Sequence, residues 1–185
     1  MNSTDNSETR DHSAFSIQHS AFALRAAVIT VSDKGSRGER IDTSGPALCG
    51  MLEQDGWTVI HTAIVPDERE EIMGQLIACA DELGANLILT TGGTGFSMRD
   101  ITPEATMAVI DRAVPGIPEA MRYYSLQITP RAMLSRAEAG IRNNTLIINM
   151  PGSPKAIREV LEYILPSLIH GLDILTGSDS ECATL

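Results

Sequence analysis

Thr90-Thr91-Gly92-Gly93-Thr94-Gly95-Phe96-Ser97-Met98-Arg99-Asp100 sets three glycines and a carboxylate directly after the apolar run Leu87-Ile88-Leu89. Glycine admits backbone angles that side chains forbid and lets a ligand approach the main chain. The N–H groups of such a turn suit an anion. Asp100 brings a negative charge beside that anion, which makes sense when a divalent cation lies between carboxylate and phosphate. Thr102 and Pro103 then read as the cap and first residue of a helix. Two ordinary phosphate loops do not fit. The Walker pattern needs Lys and Ser/Thr after its last glycine, where this chain has Phe96 and Ser97. The dinucleotide fingerprint needs glycine where Met98 stands. From the glycines alone, a plain strand-to-helix turn is an equal reading.

Other residues could join such a site. Ser32-Asp33-Lys34-Gly35-Ser36-Arg37-Gly38 follows an apolar run and suits the rim of a ligand site. Arg37 and Arg40 read equally well as solvated surface. Asp67, with Glu70 three residues on, reads as a helix-capping pair. Ser135-Arg136 joins a hydroxyl to a fixed positive fork, an anion contact or a surface arginine. Pro151-Gly152-Ser153-Pro154 opens a second helix with Ser153 as its cap, again favourable for an anion. Covalent and acid–base chemistry lack candidates. His12 and His19 lie in a polar amino-terminal stretch, while His61 and His170 fall within regular structure, and no Ser–His–Asp or Cys–His arrangement is present.

Composition narrows the class. The formal charge of −10 opposes nucleic-acid binding, which needs basic patches. It also means that an anionic substrate needs a local site to overcome the global field. Cys49, Cys79 and Cys182 stand apart without metal-ligand spacing, so a structural zinc is not expected, and reduced thiols in the cytoplasm are. No run is long enough to span a membrane, and no secretory signal is evident.

The elements that must position these residues alternate. Strands are expected over 26–31, 57–65 and 87–89, and a pair over 139–142 and 145–150 joined at Asn143-Asn144, whose residue type tolerates a tight hairpin. Helices are expected from Ser44 towards Gly56, from Pro66 to Gly84, over 103–113, 119–126 and 132–136, and from Pro154 onward, with Pro166 kinking or splitting the last. Trp57 reads as a packed residue with one polar partner. The alternation predicts an α/β fold, a three-layer αβα sandwich with a mostly parallel sheet and a short antiparallel hairpin. Ligands in such folds sit outside the carboxyl ends of the strands. The domain is expected over 25–177, between a polar flexible tail over 1–24 and a polar carboxyl-terminal tail over 178–185.

The run Thr90-Thr91-Gly92-Gly93-Thr94-Gly95-Phe96-Ser97-Met98-Arg99-Asp100-Ile101-Thr102-Pro103-Glu104-Ala105-Thr106 resembles the signature of the molybdopterin adenylyltransferase family, whose domain also occurs in gephyrin. The likeness extends to Val31-Ser32-Asp33-Lys34, Asp42-Thr43-Ser44-Gly45-Pro46, Val65-Pro66-Asp67-Glu68, Met133-Leu134-Ser135-Arg136 and Asn149-Met150-Pro151-Gly152-Ser153-Pro154-Lys155. The resemblance implies Mg2+-dependent adenylylation of molybdopterin by ATP, with release of pyrophosphate. It implies catalytic roles for Asp100 and Asp67, with Asp100 also holding the metal. Gly92, Gly93, Thr94 and Gly95 would hold nucleotide phosphates, Thr91 would be a further ligand-binding residue, and Ser32, Asp33 and Asp42 would line the rim. Ser135, Asn149, Gly152, Ser153 and Lys155 would serve the pterin side. A homotrimer and a separate molybdate-inserting protein as recipient are implied too; nucleic acid and membrane are not. The alternatives are a non-adenylylating molybdopterin-binding carrier, a scaffold module, and a nucleotide hydrolase that needs no pterin.

Overall fold

The computed structural model describes residues 23–177, so the carboxyl-terminal tail and all but two residues of the amino-terminal tail lie outside the described residues. Six strands form one sheet in the order β2-β1-β3-β6-β5-β4. The parallel strands are β1 (Arg25–Val31), β2 (Thr58–Val65), β3 (Leu87–Thr91) and β6 (Thr145–Met150). β5 (Ala139–Arg142) and the two-residue β4 (Arg112–Ala113) complete the sheet in antiparallel sense. β3 and β6 are buried at every position, which is why their sequences do not alternate.

Helices cover both faces. On one, Val28, Leu89 and Ile148 pack with Leu48 and Leu52 of α2 (Ser44–Gln54), Met121 of α5 (Gly116–Leu126) and Ile157 and Leu161 of α6 (Pro154–Leu175). On the other, Ile29, Ile88 and Ile147 pack with Ile72 and Leu76 of α3 (Arg69–Ile77) and Ala105 and Val109 of α4 (Thr102–Val109). The three-layer expectation therefore holds, as does the hairpin at Asn143, whose φ is 51°.

Several local readings change. Residues 33–36 are not loop but a single helical turn, α1 (Asp33–Ser36), capped by the Ser32 hydroxyl, which accepts from Gly35 N at 3.1 Å. Asp67 does not cap α3; Glu68 occupies that position, and the Asp67 carboxylate turns to Asp33 instead. Thr102 is the first residue of α4, not its cap, and its hydroxyl donates to Gly92 O at 2.9 Å. The helix expected over 103–113 stops at Val109, because the next residues pair with β5: Asp111 N–H donates to Ile141 O at 2.8 Å. Sheet pairing there outweighs helical preference. Pro166 does not split α6, which runs unbroken for 22 residues. The proline lies on the exposed face, where a carbonyl left without a donor meets water. Trp57 is buried, but its Nε1 has no partner among the described residues.

Candidate functional site

The carboxyl ends of β1, β2, β3 and β6 open on one edge of the sheet, and the loops that leave them build two adjoining clefts. The first, about 490 Å³, is lined by Ser32 and Asp42 from the β1 side, Asp67 after β2, Thr91, Gly92, Gly93 and Asp100 after β3, and Gly152 and Ser153 after β6. The second, about 290 Å³, lies across the glycine turn and is lined by Thr94, Gly95, Arg122, Arg131, Ser135 and Gly152 over a floor that includes Met121 and Val160.

The turn takes its shape from its glycines. Gly92 has φ 100° and Gly93 φ 65°, angles that disfavour side chains. A Cβ on Gly92 would collide with the Val31 carbonyl, and one on Gly93 with the Thr102 hydroxyl. Arg136 holds the far side of the turn: its Nε donates to Gly95 O at 2.6 Å, and its other nitrogens bond the Asp100 carbonyl and Glu104. The Arg136 backbone N–H also donates to Thr94 O at 3.0 Å. This arginine therefore braces the loop, while its neighbour Ser135 lines the second cleft.

Asp100 and Asp67 are prepared alike. Asp100 Oδ2 accepts from Ser97 N at 2.8 Å, and Asp67 Oδ2 accepts from Asp33 N at 2.7 Å. No described residue donates to Oδ1 of either. Asp67 Oδ1 lies 3.2 Å from where a Cβ on Gly93 would stand, so it points at the glycine turn. Burial pushes the Asp67 carboxyl above the usual carboxylate range, and the charges of Asp33 and Asp100 add to this, against the Asp33 N–H bond that lowers it. The Arg99 guanidinium holds the Asp33 carboxyl below that range. No cluster of three or more potential metal-ligating side chains occurs among the described residues. Two carboxylates with free oxygens still fit magnesium, which keeps waters and takes one or two carboxylates beside substrate phosphates.

Three candidate residues reach neither cleft. Asp33 directs its carboxylate to Arg99 and to Asp67 N. Asn149 is fully buried: its Nδ2 donates to Thr90 Oγ1 at 3.0 Å and Thr106 Oγ1 at 2.8 Å, and its Oδ1 accepts from Glu138 N at 3.2 Å. The Lys155 side chain is 82% exposed, with its ammonium 3.7 Å from Glu159. Thr91 lines the first cleft, but its hydroxyl donates to Pro151 O, and Ser153 caps α6 through Ala156 N. Asp42 is anchored by Thr30 Oγ1 at 2.6 Å and by the N–H groups of Ser44 and Gly45. Residues not singled out beforehand are Thr30, Arg122 and Arg131. Arg122 and Arg131 carry no motif; only the packing of α5 and of the 130–134 turn brings them to one cleft.

A family model described as "Probable molybdopterin binding domain" matches residues 27–170. A molybdopterin adenylyltransferase from Helicobacter pylori strain J99 is 45% identical over 157 residues, covering 84% of this chain and 89% of that one. Gephyrin from Dictyostelium discoideum is 45% identical over 160 residues, 81% of this chain and 22% of gephyrin. Among solved structures, the molybdopterin biosynthesis enzyme MoaB from Thermus thermophilus superposes with a TM-score of 0.79 at 51% identity, covering 83% of this chain and 97% of that one.

Proposed function

The chain belongs to the family of probable molybdopterin-binding domains, and from that premise we propose that it is a molybdopterin adenylyltransferase of molybdenum cofactor biosynthesis. The adenylyl donor is ATP, and its leaving group is pyrophosphate. A terminal phosphate oxygen of molybdopterin attacks the α-phosphorus; the bond to pyrophosphate breaks as the new P–O bond forms. That oxygen is already ionised, so no side chain must remove a proton, which agrees with a site that offers no histidine or thiol.

One observation carries this reading: a glycine turn stands between a cleft with three aspartates and a cleft with two arginines. The N–H groups of 92–95 donate to phosphate oxygens. Asp67 and Asp100 would hold magnesium, with Ser32 and Asp42 on the rim. Magnesium would supply neutralising charge at the phosphates. Arg122, Arg131 and Ser135 hold the pterin phosphate, and Gly152 and Ser153 stand where the clefts meet. Alignment of two anions is the hard part, and orientation of this kind can supply about 7–11 kcal/mol of the barrier.

We extend the reading to a homotrimer in the cytoplasm that passes its product to a separate molybdate-inserting protein, with 25–177 as the catalytic domain. No described helix is long and apolar enough to cross a membrane. The test is pyrophosphate release from Mg-ATP with and without molybdopterin. Pterin-dependent release supports the transferase. Tight pterin binding without release would leave a carrier, and release without pterin a hydrolase.

A further inference from the structure

Arg99, after β3, ties its own segment to the segments that follow β1 and β2. Its Nε donates to Asp33 Oδ2 at 3.1 Å, and its Nη2 donates to Asp33 Oδ1 at 2.9 Å and to Glu68 Oε1 at 2.8 Å. Asp33 and Asp67 then exchange bonds: Asp33 N–H donates to Asp67 Oδ2 at 2.7 Å, and Asp67 N–H donates to Asp33 Oδ1 at 3.1 Å. Both oxygens of Asp33 are thus taken by the guanidinium, and Asp33 does not line the cleft. One oxygen of Asp67 is taken by the Asp33 backbone, and the other points at the glycine turn.

The Arg99 side chain is half exposed, and exposed ion pairs add little to folding. The bidentate fork instead fixes direction, which a single ammonium cannot do. Asp33, Asp67 and Asp100 come from the segments that follow β1, β2 and β3 on one edge, and each could offer a carboxylate to a cation.

We propose that Arg99 is a positioning residue that holds Asp33 out of the cation site and aims Asp67 into it. This rests on the reading of Asp67 and Asp100 as cation ligands. Freed from Arg99, Asp33 swings towards the cleft and adds a third carboxylate. Divalent ions then bind more tightly without nucleotide, because affinity rises with ligand charge count. The ion is drawn away from its productive place, and the extra negative charge opposes the incoming phosphates. Binding and turnover therefore move in opposite directions.

The experiment compares full-length wild type, Arg99→Ala, Arg99→Lys and the double variant Arg99→Ala with Asp33→Asn. Mn2+ alone is titrated by electron paramagnetic resonance, and pyrophosphate release is measured with Mg-ATP and molybdopterin. Arg99→Ala is expected to bind Mn2+ about threefold to tenfold more tightly than wild type. Its kcat is expected to fall about 10–100-fold, the scale of a small misplacement of reacting groups, with the KM for molybdopterin about unchanged. The double variant should lose the added Mn2+ affinity, and Arg99→Lys should lie between wild type and Arg99→Ala. Mn2+ affinity in Arg99→Ala equal to or weaker than wild type overturns the proposal, and with a raised KM for ATP it makes Arg99 a direct phosphate contact. Absence of pyrophosphate release in wild type sinks the transferase reading alone, since the Mn2+ comparison still decides the role of Arg99.

Discussion

The two clefts that flank the glycine turn differ in kind although they share Gly152 and the same sheet edge. The first presents Asp42, Asp67 and Asp100 against Arg40. The second presents Arg122 and Arg131, no carboxylate, and an apolar floor. A chain with a formal charge of −10 thus makes a local basic surface next to an acidic one. Global charge sets the far field, whereas the groups within a few ångströms set which anion can approach and with what cation. The difference suits a reaction that brings two phosphates together, one carrying its metal and one without.

The strongest way to break the comparison is Asp100→Ala. If the acidic cleft holds the catalytic cation, pterin-dependent pyrophosphate release should fall by about 100–1,000-fold, or about 3–4 kcal/mol of transition-state stabilisation. A loss below fivefold would remove the distinction between the clefts. Asn149→Ala asks whether the buried amide belongs to a cleft or to the frame beneath them. It should leave the Glu138 N–H and the Thr90 and Thr106 hydroxyls without their partner and cost about 2–3 kcal/mol. Thermal unfolding should show this as a fall of roughly 2–4 °C per kcal/mol, and an unshifted transition would return Asn149 to the ligand.

Arg131→Ala sharpens the basic side. Loss of one charge-assisted contact should raise the KM for molybdopterin about tenfold, near 1.4 kcal/mol, with kcat held. A change in the KM for ATP instead would reverse the assignment of the clefts. The smallest effect is expected far from both. Arg142 ties Asp81 to the β5–β6 hairpin and holds the Asp81 carboxyl below its ordinary range. A depressed carboxyl contributes stability above its unfolded value, near pH 4, and loses it as pH falls through the folded value. Arg142→Ala should therefore lower the unfolding temperature slightly at neutral pH, and the gap from wild type should close in acid. A gap that persists in acid would mean that Arg142 acts through its bond to Val109 O instead.

Much of the frame was legible in the chain. The apolar run of β3 announced a strand covered on both faces, and Asn143-Asn144 announced the hairpin that β6 shares with β5, because both signals are local. Caps were harder. Thr102 and Asp67 carry side chains that suit helix starts, yet neither caps its helix: Thr102 bonds Gly92 O in the turn that precedes it, and Asp67 bonds Asp33 N, which follows a different strand. A residue type names the bonds a side chain can make, and only the fold decides which partner is within reach. Asn149 shows the same in reverse. It stands in a run that resembles a ligand-binding motif, while its strand register points it into the interior between Thr90 and Thr106.

By itself the sequence determined the alternation of the main strands and helices, the glycine turn and the nearby aspartate, since periodicity, backbone freedom and residue chemistry act over short stretches. The tertiary structure alone decided that Arg122 and Arg131 share a cleft and that Arg99 withdraws Asp33 while Asp67 stays in the acidic cleft. Those outcomes depend on where loops tens of residues apart meet at the sheet edge, and electrostatic contacts decay too quickly with distance for spacing in the chain to fix them.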